Sequence, residues 1–246
     1  MSFTIIIAVK NEAENLDLIL PILLAKFSDA EILAIDGHST DDSLKILDRH
    51  HVKHLTQSGK GKGDALRMGA ANAKHNAIIF FDADCSHDPD DIQKLIDPIV
   101  NGDYVHVSGS RMLGGSSELF NDIGHLFRLF GSLIINYSIS YKFNYRITDA
   151  QNGLRAFNRD FYITLNTQSD HTTIEQETVG KTLSMGYPIL ELPTHEHCRL
   201  HGESKINVLK HGWSYLKMLI GIMFWPKKPI PKTPVKNQYK TEWYLS

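Results

Sequence analysis

Cysteine is nearly absent: Cys85 and Cys198 are the only two in 246 residues. Two cannot build a disulfide framework and lack metal-ligand spacing, so a reducing compartment, the cytoplasm, is expected. Long hydrophobic runs are missing as well, and no stretch approaches the roughly 18–20 apolar residues of a membrane-spanning helix. A formal charge of −2 gives no global attraction for nucleic acid, so none is expected as a partner. Proline is sparse until the end, where Pro226, Pro229, Pro231 and Pro234 stand among five lysines with no acid before Glu242. That segment, 226–246, is expected to be extended or disordered. The opening MSFTIIIAVKNE carries no basic leader and reads as a first strand rather than a signal peptide.

What is present is strand–helix alternation. FTIIIAV, EILAID, KHLTQ, AIIFF and YVHVSGS each introduce or follow a helical pattern, which predicts an α/β fold with a mainly parallel sheet covered on both faces. Ligands of such sheets bind at the carboxyl ends of the strands, so the loops after Val9, Ile35, Gln57, Phe81 and Ser108 are the ones to examine. Further on, Ile123, Leu126, Phe127, Phe130, Leu133 and Ile134 form one apolar helical face, with His125, Arg128, Ser132 and Asn136 opposite. RITDAQNGLRAFNRD reads as a polar loop and PILELP as the last strand. A final helix carries Ile206, Leu209, Trp213, Leu216, Ile220 and Met223 as an apolar stripe. A single domain over 1–225 is expected, with halves of about 1–112 and 113–225.

The segment IIFFDADCSHDPDD ends a buried strand in five aspartates. Asp88, Asp90 and Asp91 suit the start of a helix opened by Pro89. Asp82 and Asp84 precede it, two residues apart, and clustered carboxylates near an interior need a counter-charge. Hard cations such as Mg²⁺ or Mn²⁺ take oxygen ligands and share them with phosphates, so this pair suits a metal-diphosphate. A phosphoaspartyl phosphatase also uses Asp-x-Asp after a strand, but normally the first strand, and no later strand here ends in paired acids.

VKNEAENL, AIDGHSTDDS, GKGKGDAL and DAD, followed by GSR, DAQNGLRAF, TIEQE and RLHGESK, resemble in order and spacing the family 2 glycosyltransferases of the GT-A fold. The later motifs are similar to the dolichol-phosphate mannosyltransferase branch. The resemblance, over about residues 3–210, implies an inverting transferase that moves a sugar from a GDP- or UDP-hexose to a polyprenyl phosphate, with Mg²⁺ or Mn²⁺ as cofactor. It implies that Lys10, Asn11, Glu12 and Asp36 hold the nucleoside, and that Asp82, Asp84 and Ser86 hold the metal. Ser86 stands where this branch often has glutamine. Lys62, in a loop with Gly59, Gly61 and Gly63, is expected to line the diphosphate, and Arg199 and Lys205 to neutralise it as it leaves. Asp149, Gln151, Asn152 and Arg155 are expected to shape the sugar pocket.

A phosphate acceptor is already ionised and needs cations rather than a base. Arg111, Arg128, Ser132 and Arg199 are the candidates. A hydroxyl acceptor would instead make Glu177 important as base, and a non-catalytic nucleotide-sugar binding module would bind donor without transfer. The tryptophan-bearing final helix and basic tail also admit a peripheral seat on the cytoplasmic membrane face.

Overall fold

The computed structural model describes residues 2–117, 123–200 and 208–231, with the side chains of 123–128 and 208–211 excepted. Strands β1 (Thr4–Val9), β2 (Glu31–Asp36), β3 (Lys53–Thr56) and β4 (Ala77–Asp82) alternate with helices α1 (Ala13–Lys26), α2 (Ser43–Arg49) and α3 (Gly61–Asn72). Then come α4 (Asp91–Val100), β5 (His106–Ser110), α5 (Arg111–Gly114), α6 (Ile123–Phe143), β6 (Arg155–Asn158), α7 (Arg159–Thr164), α8 (Ile174–Ser184), β7 (Leu190–Pro193) and α9 (Val208–Phe224).

Ile5, Ile6 and Ile7 are all fully buried because both faces of β1 are covered. Alternate side chains feed two cores. Ile5, Ile7 and Val9 join Ala34, Ile79 and Phe81 against α1 and α4. Ile6 joins Leu33, Ile35, Ile78 and Phe80 against α3 and α7. A third core fastens α6, α8 and α9 through Ile135, Ile139, Val179, Leu183, Leu219 and Ile222.

The sheet runs β3-β2-β1-β4-β6-β5-β7. Every pairing is parallel except the two made by β6, which lies antiparallel between β4 and β5. Register aligns the carboxyl ends: Val9 is opposite Asp36, Ala8 opposite Asp82, and Asp36 opposite Thr56. The acids after β1, β2 and β4 therefore reach one rim.

Two expectations are corrected. The segment read as a polar loop contains β6, whose Arg155 is buried with its guanidinium on the Asn152 and Asp149 carbonyls and on His106. The helix after the aspartates begins at Asp91, two residues later than Pro89, because Asp88 first makes a turn in which its carboxylate accepts from the Asp90 N–H at 2.8 Å. On α6 the polar side faces inward: Ser132 and Asn136 are buried, whereas Phe130, Leu133, Ile134, Tyr137 and Tyr141 are exposed. Asn136 accounts for this, since it donates to the Thr148 carbonyl and accepts from the Ala150 N–H. On α9 the stripe residues Trp213, Leu216 and Ile220 also face outward, while Leu219 and Ile222 are buried. Among the described residues no helix is long and apolar enough to cross a membrane.

Candidate active site

A cavity of about 470 Å³ opens at the carboxyl ends of β1, β2 and β4 and continues to α6 and α9. Its near end is walled by Val9, Lys10, Glu12, Gly37 and Gln57, its middle by Lys62, Asp82, Asp84, Glu175 and Arg199, and its far end by Ser132, Ile135, Tyr215 and Leu219.

At the near end the loops after β1 and β2 are stitched together. The N–H groups of Asn11, Glu12 and Ala13, unsatisfied donors at the start of α1, give their hydrogen bonds to Ser39 Oγ, Ser43 Oγ and Asp41 Oδ2 at 2.9–3.0 Å. Ser39 and Asp41 thus close the start of α1 from the neighbouring loop, and Asp41 also accepts from the Ser43 N–H at the start of α2. Asn11 and Asp36 do not line the cavity as expected. Asn11 Oδ1 accepts from the Thr40 N–H at 2.7 Å, and Asp36 is buried with both oxygens on the Ser39 N–H. Gln57, marked in the sequence only as the end of a strand, lines the cavity instead: it is buried, and its side-chain nitrogen has no partner among the described residues.

The glycines around Lys62 serve the chain itself. Gly61 has φ of +83°, and a Cβ there would lie 2.1 Å from the Asp170 carbonyl oxygen; one on Gly63 would lie 1.8 Å from that of Ser169. Only bare backbone lets α3 dock on the 169–170 segment. Glu177 holds that segment by accepting from the Gln168 and Ser169 N–H groups and pairing with Lys181. With both oxygens so committed, Glu177 is not the base that a hydroxyl acceptor would need; Glu175 is the glutamate of α8 that reaches the cavity.

In the middle, Lys62 Nζ lies 2.6 Å from Asp82 Oδ1 and 2.8 Å from Glu175 Oε1. Burial works against the Lys62 ammonium, but the two carboxylates outweigh it and raise its pKa above the ordinary lysine value. Burial likewise pushes Asp82 upward, and Lys62 overrides it and holds Asp82 below the usual carboxylate range. Glu175 is raised, because burial exceeds what Lys62 returns. Asp84 Oδ2 is 2.9 Å from Arg199 Nη2, and its Oδ1 accepts from Ser86 Oγ at 2.7 Å and the Ser86 N–H at 3.1 Å. Cys85, at φ +60°, turns the chain so that Ser86 can orient Asp84. The Cys85 thiol is pushed up to about 11 by burial and by Asp84, which leaves it a poor nucleophile.

No group of three or more His, Cys, Asp or Glu side chains among the described residues is arranged to hold a metal alone. The donor set nevertheless fits a hard divalent cation. Asp82 and Asp84 present oxygens to one cavity, and Mg²⁺ takes one or two carboxylates plus phosphates rather than a full protein cage. Ser86, expected as third ligand, donates its hydroxyl proton to Asp84 and acts on that carboxylate first.

Arg111 lines the cavity, but its guanidinium is committed: Nε and Nη2 donate to Asp149 at 2.7 and 2.9 Å, and Nη1 to Glu196 at 3.1 Å. It therefore builds the wall rather than standing ready for phosphate. Asp149, Asn152 and Arg155 lie behind that wall and do not line the cavity, whereas Gln151 does and accepts from Ser132 Oγ. The backbone of Arg128 is on α6 and its side chain lies outside the described ones, as do all of Gly202 and Lys205. Glu196, missed in the sequence, joins Arg111 to Ser116 and bridges to His87.

Solved structures of glucosyl-3-phosphoglycerate synthase from Mycobacterium tuberculosis match this architecture. One, holding Mn²⁺, UDP-glucose and phosphoglyceric acid, aligns with a TM-score of 0.72 at 14% identity, over 95% of this chain and 89% of that one. At that identity the likeness defines the fold class, GT-A. A family model described as glycosyl transferase family 2 matches residues 4–165, well over half of the chain, which belongs to that family. Glycosyltransferase AglJ of Haloferax volcanii is 28% identical over 188 residues, 74% of this chain and 59% of that protein. A UDP-N-acetylglucosamine–dolichyl-phosphate N-acetylglucosaminyltransferase of Methanococcus voltae is 34% identical over 120 residues, 48% of this chain and 46% of its own length. The chain thus spans only about half of the length of these relatives.

Proposed function

We propose that the chain transfers a sugar from a UDP- or GDP-sugar to a polyprenyl phosphate with inversion at the anomeric carbon. The observation that carries this reading is the continuity of the cavity, which joins a carboxylate-and-cation centre to an α6–α9 wall whose outer surface is apolar. A charged head and a long apolar chain need such a pair of surroundings. The dolichyl-phosphate activity in the name of the Methanococcus relative supports the same acceptor class.

In this reading Lys10, Glu12, Gly37 and Gln57 receive the nucleoside. Lys62 and Arg199 face the diphosphate, and Asp82 and Asp84 would hold Mg²⁺ or Mn²⁺. The bound cation supplies charge neutralisation to the departing diphosphate. The acceptor phosphate, already anionic, attacks the anomeric carbon in line; its oxygen forms the new C–O bond as the bond to the donor diphosphate breaks. No base is required, consistent with the commitment of both Glu177 oxygens elsewhere. Arg128, Ser132, Arg199 and Lys205 are assigned to the acceptor phosphate and the leaving group. The exposed faces of α6 and α9, with Lys217, Lys227 and Lys228, would rest on an anionic leaflet on the cytoplasmic side.

The test is a screen of UDP- and GDP-sugars with Mn²⁺ or Mg²⁺ against polyprenyl phosphate, with lipid-linked product followed by mass. One productive pair is expected. Transfer to water-soluble hydroxyl acceptors alone would overturn the acceptor assignment.

A further inference from the structure

Both aspartates of the candidate metal pair already carry a cation of the chain itself. Lys62 lies 2.6 Å from Asp82 and Arg199 lies 2.9 Å from Asp84. With Glu175, which also contacts Lys62, the cavity centre holds three carboxylates against two cations. It is therefore a single negative charge from neutral. A divalent cation arriving alone would have to displace two ion pairs and would reverse the net charge. The diphosphate of a nucleotide sugar, doubly negative, would on arriving alone add to the net negative charge while the cations it needs stay paired with Asp82, Glu175 and Asp84. Arriving together, the two leave the net charge as it was.

We propose that Lys62 and Arg199 are resident counter-cations of Asp82 and Asp84, released to a nucleoside diphosphate only when a divalent cation takes their place. This rests on the donor reading above and adds the manner of loading. Two further observations support it. Gly153 leaves room for the first pair, since a Cβ there would lie 2.2 Å from Asp82 Oδ2 and 2.8 Å from Lys62 Nζ. Glu175 is the positioning residue: it is buried, one oxygen holds Lys62, and the other has no partner among the described residues. Once Asp82 is released, Glu175 still keeps the ammonium inside the cavity, where the diphosphate arrives.

The exchange makes cation and nucleotide affinities reciprocal. It is tested on the full chain by titrating Mn²⁺ and following the free-ion signal by electron paramagnetic resonance, without nucleotide and with UDP or GDP. Wild type is expected to bind Mn²⁺ weakly alone and about tenfold or more tightly with one of the nucleotides, the change that about 1.4 kcal/mol of coupling produces. Lys62→Met should tighten Mn²⁺ alone by about tenfold while weakening the nucleotide, and Glu175→Gln should shift Mn²⁺ alone the opposite way; general damage would weaken both. The double variant Lys62→Met/Glu175→Gln, which leaves no unpaired buried carboxylate at 175, should retain the tighter Mn²⁺ binding if the single variant does not fold. If wild type binds Mn²⁺ with a nucleotide but Lys62→Met binds Mn²⁺ alone no tighter, the exchange is overturned and the donor reading stands. If wild type binds Mn²⁺ with neither nucleotide, both fall together.

Discussion

Arg111 donates three guanidinium N–H groups to Asp149 and Glu196 at 2.7–3.1 Å, all buried. Removing one partner of a buried pair strands the other and typically costs about 3–5 kcal/mol. Arg111→Ala should therefore lower stability by about 3 kcal/mol or more in urea unfolding, rather than only weaken acceptor use. Burial acts to raise the Asp149 pKa, but Arg111 overrides it and the net shift is downward. A depressed carboxylate contributes fully above its unfolded value, about 3.9 for aspartate, and loses that contribution as pH falls through the lower folded value. Asp149→Asn should flatten the acid limb of the stability curve below about pH 4 and leave little pH-dependent difference from neutral pH upward. Gly153→Ala should impair nucleotide binding far more than folding, because its Cβ would strike Asp82 and Lys62, both at the cavity. Isothermal titration with Mn²⁺ and UDP or GDP, beside a melting curve, would separate the two effects. At this scale residue types and motif order pointed to the cavity, with Lys62, Asp82, Asp84 and Arg199 brought together there. What spacing could not reveal was which neighbour consumes each charge. Arg111, Asp36 and Glu177 all bear the right chemistry, but Arg111 spends it on Asp149 and Glu196, distant in the chain, while Asp36 and Glu177 spend it on the backbone and side chains of their own neighbourhoods.

Helical periodicity identifies an apolar face but not the side on which the core lies. On α6 the assignment is made by Asn136, whose hydrogen bonds to residues 148 and 150 draw the polar face inward, and by Ile135, Ile139 and Phe143 beside it. Phe130 and Trp213 are left 65% and 63% exposed, so they contribute little to folding. Replacing both with serine should leave the melting temperature almost unchanged and sharply reduce flotation with anionic vesicles. Equal flotation of wild type and variant would remove the membrane role from this face. Strand β6 escaped recognition for a related reason. Its four residues, RAFN, are too few for a periodic pattern, and its arginine is tolerated inside only because carbonyls and His106 receive it.

For the whole molecule, parallel-sheet architecture was legible because long β-branched runs such as TIIIAV can be buried on both faces only in such a sheet. A ligand that binds only the folded state stabilises it by about 2.7 kcal/mol at a hundredfold excess over Kd. Saturating Mn²⁺ with the preferred nucleotide should then raise the melting temperature by roughly 5–10 °C, at about 2–4 °C per kcal/mol for a chain of this size. No shift with either UDP or GDP would count against the donor reading.

The antiparallel strand also has a consequence for dissecting the protein. Because β6 is contributed by the second half of the sequence yet fills the gap between β4 and β5 of the first, neither half closes a sheet by itself. A fragment ending at residue 117 loses β7 as well as β6, which would leave one edge of β4 and both edges of β5 bare, and it should precipitate when expressed alone. Co-expressed with residues 123–246, it should be recovered in solution as a non-covalent complex, the second piece supplying both missing strands.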